Sequence, residues 1–465
     1  MAFEKLFKPI RIGKVNIRNR VAMAPMATLS SDRGYVTEQQ LAHYAARARG
    51  GAGLIIIECT FVSKWGVDNS YYNNLVLYDM SHMRGMTELA EAIHAFRAKA
   101  FIQLTPGFGV QGSSRRTGVQ PVAASAVNFR IPPAMVPKKM WENSLPPASV
   151  APIGAAEREK ITQTVAGLPL DFPSEKLPEL LPPQLAAHMG PMAREVLDHL
   201  VGEVPREMTI EEIEREQENF VKAAEMARTV GFDGIEIHAP HGYLLHDFLS
   251  PRFNRRTDRY GGGLENRMRF LLELVRKTKA AVENDIVLGV RASADEHMPG
   301  GTTYEDMKIV VQRLEQEGID YFHVSDGSYE ALKYFLPEED GTMLEEAAGF
   351  KKLLSIPVIT PSIHDPEKAE KAITQGMTDM VALGRQLLAD PDWANKVKEG
   401  RVADIRKCDR CYRGCIMRLT EGLPVRCYLN PESGLERYNP DYTPWAVKRR
   451  AIEKRQAKPQ TVSIP

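Results

Sequence analysis

Short apolar runs alternate with longer amphipathic stretches along almost the whole chain, and this alternation constrains the fold more than any other feature. Val21–Pro25, Gly53–Glu58, Ala100–Leu104, Gly234–His238, Ile286–Ala292, Tyr321–Ser325, Ile356–Thr360 and Met380–Leu383 read as strands. Between them, Met83–Lys99, Ile210–Val230, Leu264–Glu283, Tyr304–Glu317 and Pro366–Gln375 carry helical periodicity. Thr209 stands just ahead of Glu211 and Glu212, an N-terminal capping arrangement for the second of these helices. Parallel neighbours need a crossover, and strands spaced by helices supply one each time. Eight such strands in roughly 400 residues predict an α/β fold of the TIM (β/α)8 type, with a doubly wound open sheet as the alternative.

One segment breaks the rhythm. Residues 125–207 hold thirteen of the thirty-one prolines, including Pro132-Pro133, Pro146-Pro147 and Pro182-Pro183. Proline blocks helix interiors and central strands, so this reads as a long insertion between the third and fourth strands. Gln184–Val201 has helical character within it. The insertion is expected to be a structural flap, a subunit contact of a homo-oligomer, or a lid over a site at the strand C-termini.

Composition excludes several classes. With 43 % hydrophobic and 26 % charged residues, the 465-residue chain is globular. Sixty basic residues balance sixty acidic ones, so there is no general pull toward nucleic acid or an anionic membrane. No apolar run spans a bilayer, and MAFEKLFKPI lacks a signal-peptide layout, which reads as a cytoplasmic protein. Val447–Lys458 is basic, which reads as a solvated face or as a docking site for an acidic electron carrier.

Four of the five cysteines fall within twenty residues, as Cys408-x2-Cys411-x3-Cys415-x11-Cys427. Thiolates ligate iron–sulfur clusters and structural zinc; a tight triplet with a distant fourth favours the cluster over zinc. Directly after the fourth strand comes Ile237-His238-Ala239-Pro240-His241-Gly242-Tyr243-Leu244. Two imidazoles three residues apart can converge on one oxygen, with a phenol beside them to deliver a proton. Gly107-Phe108-Gly109-Val110-Gln111-Gly112 satisfies a dinucleotide fingerprint, but the next residues, SSRRTGVQPVAAS, do not read as an apolar helix and no acidic ribose partner lies downstream.

The stretch Gly231–Phe270, GFDGIEIHAPHGYLLHDFLSPRFNRRTDRYGGGLENRMRF, resembles the signature of the old yellow enzyme family of FMN-dependent ene-reductases. Asn19-Arg20-Val21…Ala24-Pro25-Met26 and Val381-Ala382-Leu383-Gly384-Arg385…Asp390-Pro391 match as well, and the similarity runs from Leu6 to about Gly400 apart from the insertion. The cysteine quartet is similar in spacing to that of the 2,4-dienoyl-CoA reductase branch, where a 4Fe-4S cluster follows the barrel. The resemblance therefore implies an FMN barrel over 1–400, a cluster segment over 401–435 and a basic tail over 436–465.

It also implies roles. Pro25, Met26, Ala27 and Cys59 would run along the flavin, Gln103 would bond its pyrimidine edge, and Arg291 would stabilise charge near N1 and O2. Gly384 and Arg385 would hold the phosphate. His238 and His241 would grip a substrate carbonyl while reduced FMN gives hydride to the β carbon of an enone, enoate or enoyl thioester, and Tyr243 would protonate the α carbon. Where the family carries two glycines, this chain has Thr360-Pro361-Ser362-Ile363, so phosphate anchoring falls to Ser362, Ile363 or nearby groups. Thr105-Pro106-Gly107-Phe108-Gly109 replaces the usual histidine and arginine after Gln103, and His297 and Tyr329 are further pocket candidates. Residues 21–33 contain no cysteine, so the flavin is expected to be non-covalent. Only thirty-eight residues follow Cys427, too few for the FAD- and NAD(P)-binding domains of longer relatives. Electrons are then expected through the cluster from a separate donor protein, or directly from NAD(P)H. A flavin-dependent amine dehydrogenase of the trimethylamine dehydrogenase type is the alternative function.

Overall fold

A computed structural model describes residues 3–68, 70, 73–115, 117–144, 154–180, 201–283, 285–442 and 449. Eight parallel strands close into a barrel: β1 (Val21–Met23), β2 (Leu54–Phe61), β3 (Lys99–Thr105), β4 (Gly234–His238), β5 (Val287–Ser293), β6 (Tyr321–Ser325), β7 (Val358–Pro361) and β8 (Met380–Leu383). Each follows its predecessor around the ring, and β8 pairs with β1 to close it. All eight expected runs are strands, and the TIM barrel is the fold. The open-sheet alternative is excluded by the closure.

Helices α1 (Glu38–Arg49), α2 (Met83–His94), α3 (Ile210–Thr229), α4 (Arg269–Val282), α5 (Tyr304–Gln316), α6 (Leu344–Leu353) and α7 (Pro366–Thr374) surround the ring. Local chemistry starts several of them. Thr37 with Gln40, Thr209 with Glu212, and Thr303 with Asp306 form reciprocal capping boxes, each satisfying two otherwise orphaned amides. Asp365 caps α7 ahead of Pro366. The helix expected over Leu264–Glu283 breaks at Met268 into Leu264–Arg267 and α4. No described helix is long and apolar enough to cross a membrane.

The period of two along each strand sorts side chains into two cores. Ile235, Ile237, Leu288, Val290, Phe322, Val324 and Val381 face outward against the helices. Leu54, Ile56, Phe101, Tyr321, Ile359, Met380 and Ala382 fill the barrel interior. A hairpin of Ile10–Ile12 and Val15–Ile17 plugs its lower mouth with Ile12, Val15 and Ile17. Each such side chain contributes about 1.5–3 kcal/mol on burial. Above this apolar floor, the inward positions turn polar toward the C-terminal ends of the strands.

The proline-rich insertion does leave between β3 and β4. Phe129, Ile131, Val136 and Met140 pack with Leu332, Leu336 and Tyr412. Lys139 donates to the Asp409 carbonyl and Asn143 to that of Cys411. The described part of the insertion thus leans on the cysteine segment and on the loop after β6, residues 326–343. None of its described residues lines the cavity at the strand C-termini, so the lid reading draws no support from them. The expected helix Gln184–Val201 and the basic run Val447–Lys458 lie outside the described residues apart from Val201 and Arg449. Residues 436–442, grouped by composition with the tail, pack on α1 through Glu436 and Tyr442.

Candidate active site

A cleft opens at the C-terminal ends of the strands, where barrels of this class build their sites. Pro25, Met26, Ala27, Cys59, Gln103, His238, His241, Tyr243, Arg291, Ser362, Gly384 and Arg385 all line it. Ile363, expected to help anchor the phosphate, stays apart: it is fully buried in the outer core.

Strand register makes the first encounter. His238 on β4 pairs with Arg291 on β5, and Arg291 with His323 on β6. Beyond β4 the chain reverses through His241 (φ 71°) and Gly242 (φ 76°), and Gln111 donates to both their carbonyls at 2.7 Å. The left-handed His241 is a strained conformation for a side-chain-bearing residue. It brings the His241 ring centroid to 5.2 Å from that of His238, with Tyr243 5.0 Å from His238. His241 Nε2 is held 2.6 Å from Ser325 Oγ, and the Phe335 ring lies 3.9 Å away over it. Tyr243 Oη donates to Tyr329 Oη at 3.2 Å. Tyr329 therefore joins the pocket. His297 does not: it bonds Asp326 at 2.8 Å and stacks on Tyr334.

Both His238 and His241 are held well below the usual imidazole range, first by burial and next by the Arg291 guanidinium. They are neutral near pH 7, each with one N–H to donate. Among the described residues neither ring nitrogen of His238 has a partner, and neither do Arg291 Nε, Arg385 Nη1 and Asn74 Oδ1, although all are buried. Leaving such a group unsatisfied costs about 1–3 kcal/mol. Five orphaned polar atoms on residues that line one cleft mark a site built for a polar ligand.

Ser362 takes a left-handed conformation (φ 63°) that glycine adopts without cost. Its amide donates to the Ala382 carbonyl at 3.3 Å, so the hydroxyl is the group it offers the cleft. At Gly384 a Cβ would stand 2.8 Å from Met26 Sδ, which keeps the backbone open there. The sequence reading missed His43, Asn74, His364 and the loop residues Phe335 and Leu336, all on the cleft wall. His43 was signalled only by its i, i+4 relation to Gln39 and Arg47 on a helix.

A second, smaller pocket is lined by all four clustered cysteines with Arg385, Arg410 and Tyr412. Four thiols in one cavity are the donor set of a cluster, yet among the described residues no three His, Cys, Asp or Glu side chains are drawn together to hold a metal ion. Arg410 and Tyr412 are left-handed between the cysteines, and Tyr412 donates to the Leu336 carbonyl at 2.8 Å. The adjoining segment is tied to the first barrel loop, where Val425 N donates to the Thr28 carbonyl. Arg385 lines both cavities and stacks on Tyr412. The dinucleotide fingerprint is a short 3-10 turn, Gly109–Gln111, not a helix start.

Residues 5–133 and 164–404 match the NADH:flavin oxidoreductase / NADH oxidase family. The chain belongs to that family. It is 38 % identical over 463 residues to an NADH oxidase of Thermoanaerobacter brockii, covering 97 % of this chain and 59 % of that protein. A 2-naphthoyl-CoA reductase bound to 2-naphthoyl-CoA superposes with a TM-score of 0.74 at 28 % identity, over 95 % of this chain and 59 % of that one. A histamine dehydrogenase from Rhizobium sp. 4-9 superposes with a TM-score of 0.72 at 25 % identity, over 93 % and 53 %. The chain thus spans little more than half the length of these proteins. The unmatched stretch 134–163 falls inside the proline-rich insertion.

The residues present fit the family's flavin as FMN. Arg385 Nη1 is buried without a partner among the described residues and suits a phosphate; Arg291 Nε, likewise unpartnered, lines the same cleft as Gln103 and suits an electron-rich ring edge. Pro25, Met26 and Ala27 add apolar lining to the same cleft.

Proposed function

We propose that this chain reduces an activated C=C bond, an enone, enoate or enoyl thioester, with FMN held in the cleft. The observation that carries the reading is His238, buried with both ring nitrogens unpartnered beside His241 and Tyr243. FMN, when bound, supplies the hydride to the β carbon. His238 donates an N–H to the substrate carbonyl, and His241, fixed by Ser325 through Nε2, lines the same cleft. Donors that strengthen as charge develops on oxygen lower the barrier, and removing one typically costs 10²–10³-fold. Phe335 packs against the ring of His241, which is buried. Tyr243 delivers the proton to the α carbon, with Tyr329 holding the phenol in place.

Cys408, Cys411, Cys415 and Cys427 would hold a 4Fe-4S cluster, which when bound carries single electrons. NAD(P)H or a separate electron-donor protein is the source of reducing equivalents. Arg385→Ala should weaken FMN binding roughly tenfold to a hundredfold, the scale of a charge-assisted hydrogen bond. Titration by quenching of flavin fluorescence reads this directly; unchanged affinity contradicts the phosphate role.

A second reading, an amine dehydrogenase, is favoured by Phe108, Tyr243, Tyr329 and Phe335, whose rings share one wall and could face an organic cation. Anaerobic turnover decides between the two. The first reading expects oxidation of the reduced flavin by an enone, enoate or enoyl thioester panel. Reduction of the flavin by amines, with no response to any alkene, contradicts it.

A further inference from the structure

Below the cleft the barrel holds a polar set of which only Gln103 has been given a role. Gln103 on β3 pairs in register with Glu236 on β4, and Gln103 Nε2 donates to Glu236 Oε1 at 2.7 Å. Glu236 Oε2 accepts from Tyr321 Oη at 3.0 Å and sits 2.8 Å from His323 Nδ1. All four side chains are buried. Tyr321 reaches Glu236 because β5 carries Gly289 between them: a Cβ there would lie 2.1 Å from the Tyr321 ring. Glu236 thus has three hydrogen-bond partners among the described residues, and of these Gln103 also lines the cleft.

We propose that Glu236 is a positioning residue that locks the Gln103 amide with its oxygen toward the cleft, so that the site accepts a hydrogen bond from the N3–H of the flavin ring. An ionised carboxylate only accepts, so it engages the amide NH₂ and leaves the amide carbonyl as the group presented. Burial opposes charge on Glu236, but His323 and Arg291 outweigh it and hold the carboxyl below its usual range. An unpinned glutamine can present either end, because its two faces are nearly isosteric. The inference rests on FMN filling the cleft.

The test titrates FMN and 3-methyl-FMN, which lacks the N3–H, against the wild-type chain, Glu236→Gln, Gln103→Ala and the double variant. Exchange of the N3 proton in bound ¹⁵N-labelled FMN is followed by NMR. Wild type should prefer FMN over 3-methyl-FMN by about tenfold or more and slow the exchange, the scale of one buried hydrogen bond. Glu236→Gln should lose about tenfold in FMN affinity, but less than about twofold when Gln103 is already alanine. An equal loss in both backgrounds would mean a merely structural role and overturn the proposal. So would equal affinity of wild type for the two flavins, a comparison that needs no variant to fold. Failure of FMN to bind wild type at all would instead sink the flavin reading beneath it.

Discussion

Tyr243→Phe should slow alkene reduction by about 10²–10⁴-fold, the range for loss of a positioned general acid, while FMN stays bound. The phenol lies beside His238, and its hydroxyl is directed by Tyr329. Phenylalanine keeps the ring that packs on Phe108 and removes only the proton. The loss belongs in kcat for the half-reaction that consumes alkene; reduction of the flavin should proceed as before. Rapid-mixing measurements of the two half-reactions separate these. Alkene reduction at full speed in the variant would assign the proton to another group.

The second large effect concerns stability. Glu436 is buried on α1, where it meets Arg47, lies 3.3 Å from His43 and accepts from Gln39 at 2.6 Å. Burial alone would raise its carboxyl, but Arg47 and His43 hold it well below the usual range. Removing one partner of a buried ion pair strands the other charge and typically costs about 3–5 kcal/mol. Glu436→Gln should therefore destabilise the protein by about that amount and lower its Tm. A depressed carboxyl stabilises the fold above its unfolded value, near 4.5, and loses that contribution as pH falls below it. The gap in stability between wild type and variant should thus close on acidification through that region. A gap that widens would contradict the pairing.

These residues also mark what the sequence could disclose. The eight strands were legible because parallel barrel strands are buried on both faces and read as continuous apolar runs. The His238–Tyr243 turn was legible because it directly follows one of them. Helix α1 was not, since its buried face carries Gln39, Gln40, His43 and Arg47. An apolar stripe of Leu41, Tyr44, Ala45 and Ala48 faces the core but is rich in alanine, and the polar groups beside it find Glu58 and Glu436, the latter nearly 400 residues away. Tyr329 was visible as a pocket candidate, but Phe335 ends a four-residue helix too short to show periodicity, and only closure of the barrel brings it onto His241. The N-terminal hairpin has strands of three residues each, too short for an alternation to register. At Ser362 the departure from a glycine pair was visible, but not that its amide is already spent on Ala382.

The central claim is that this barrel seats FMN against His238 and His241, and the most direct measurement is flavin retention. The chain, purified without oxygen and incubated with FMN, is passed through a desalting column and its absorption spectrum recorded. The account predicts flavin bands travelling with the protein at a single FMN per chain, perturbed when an enone is added and weakened in Arg385→Ala. A well-folded wild-type protein that emerges colourless would contradict it.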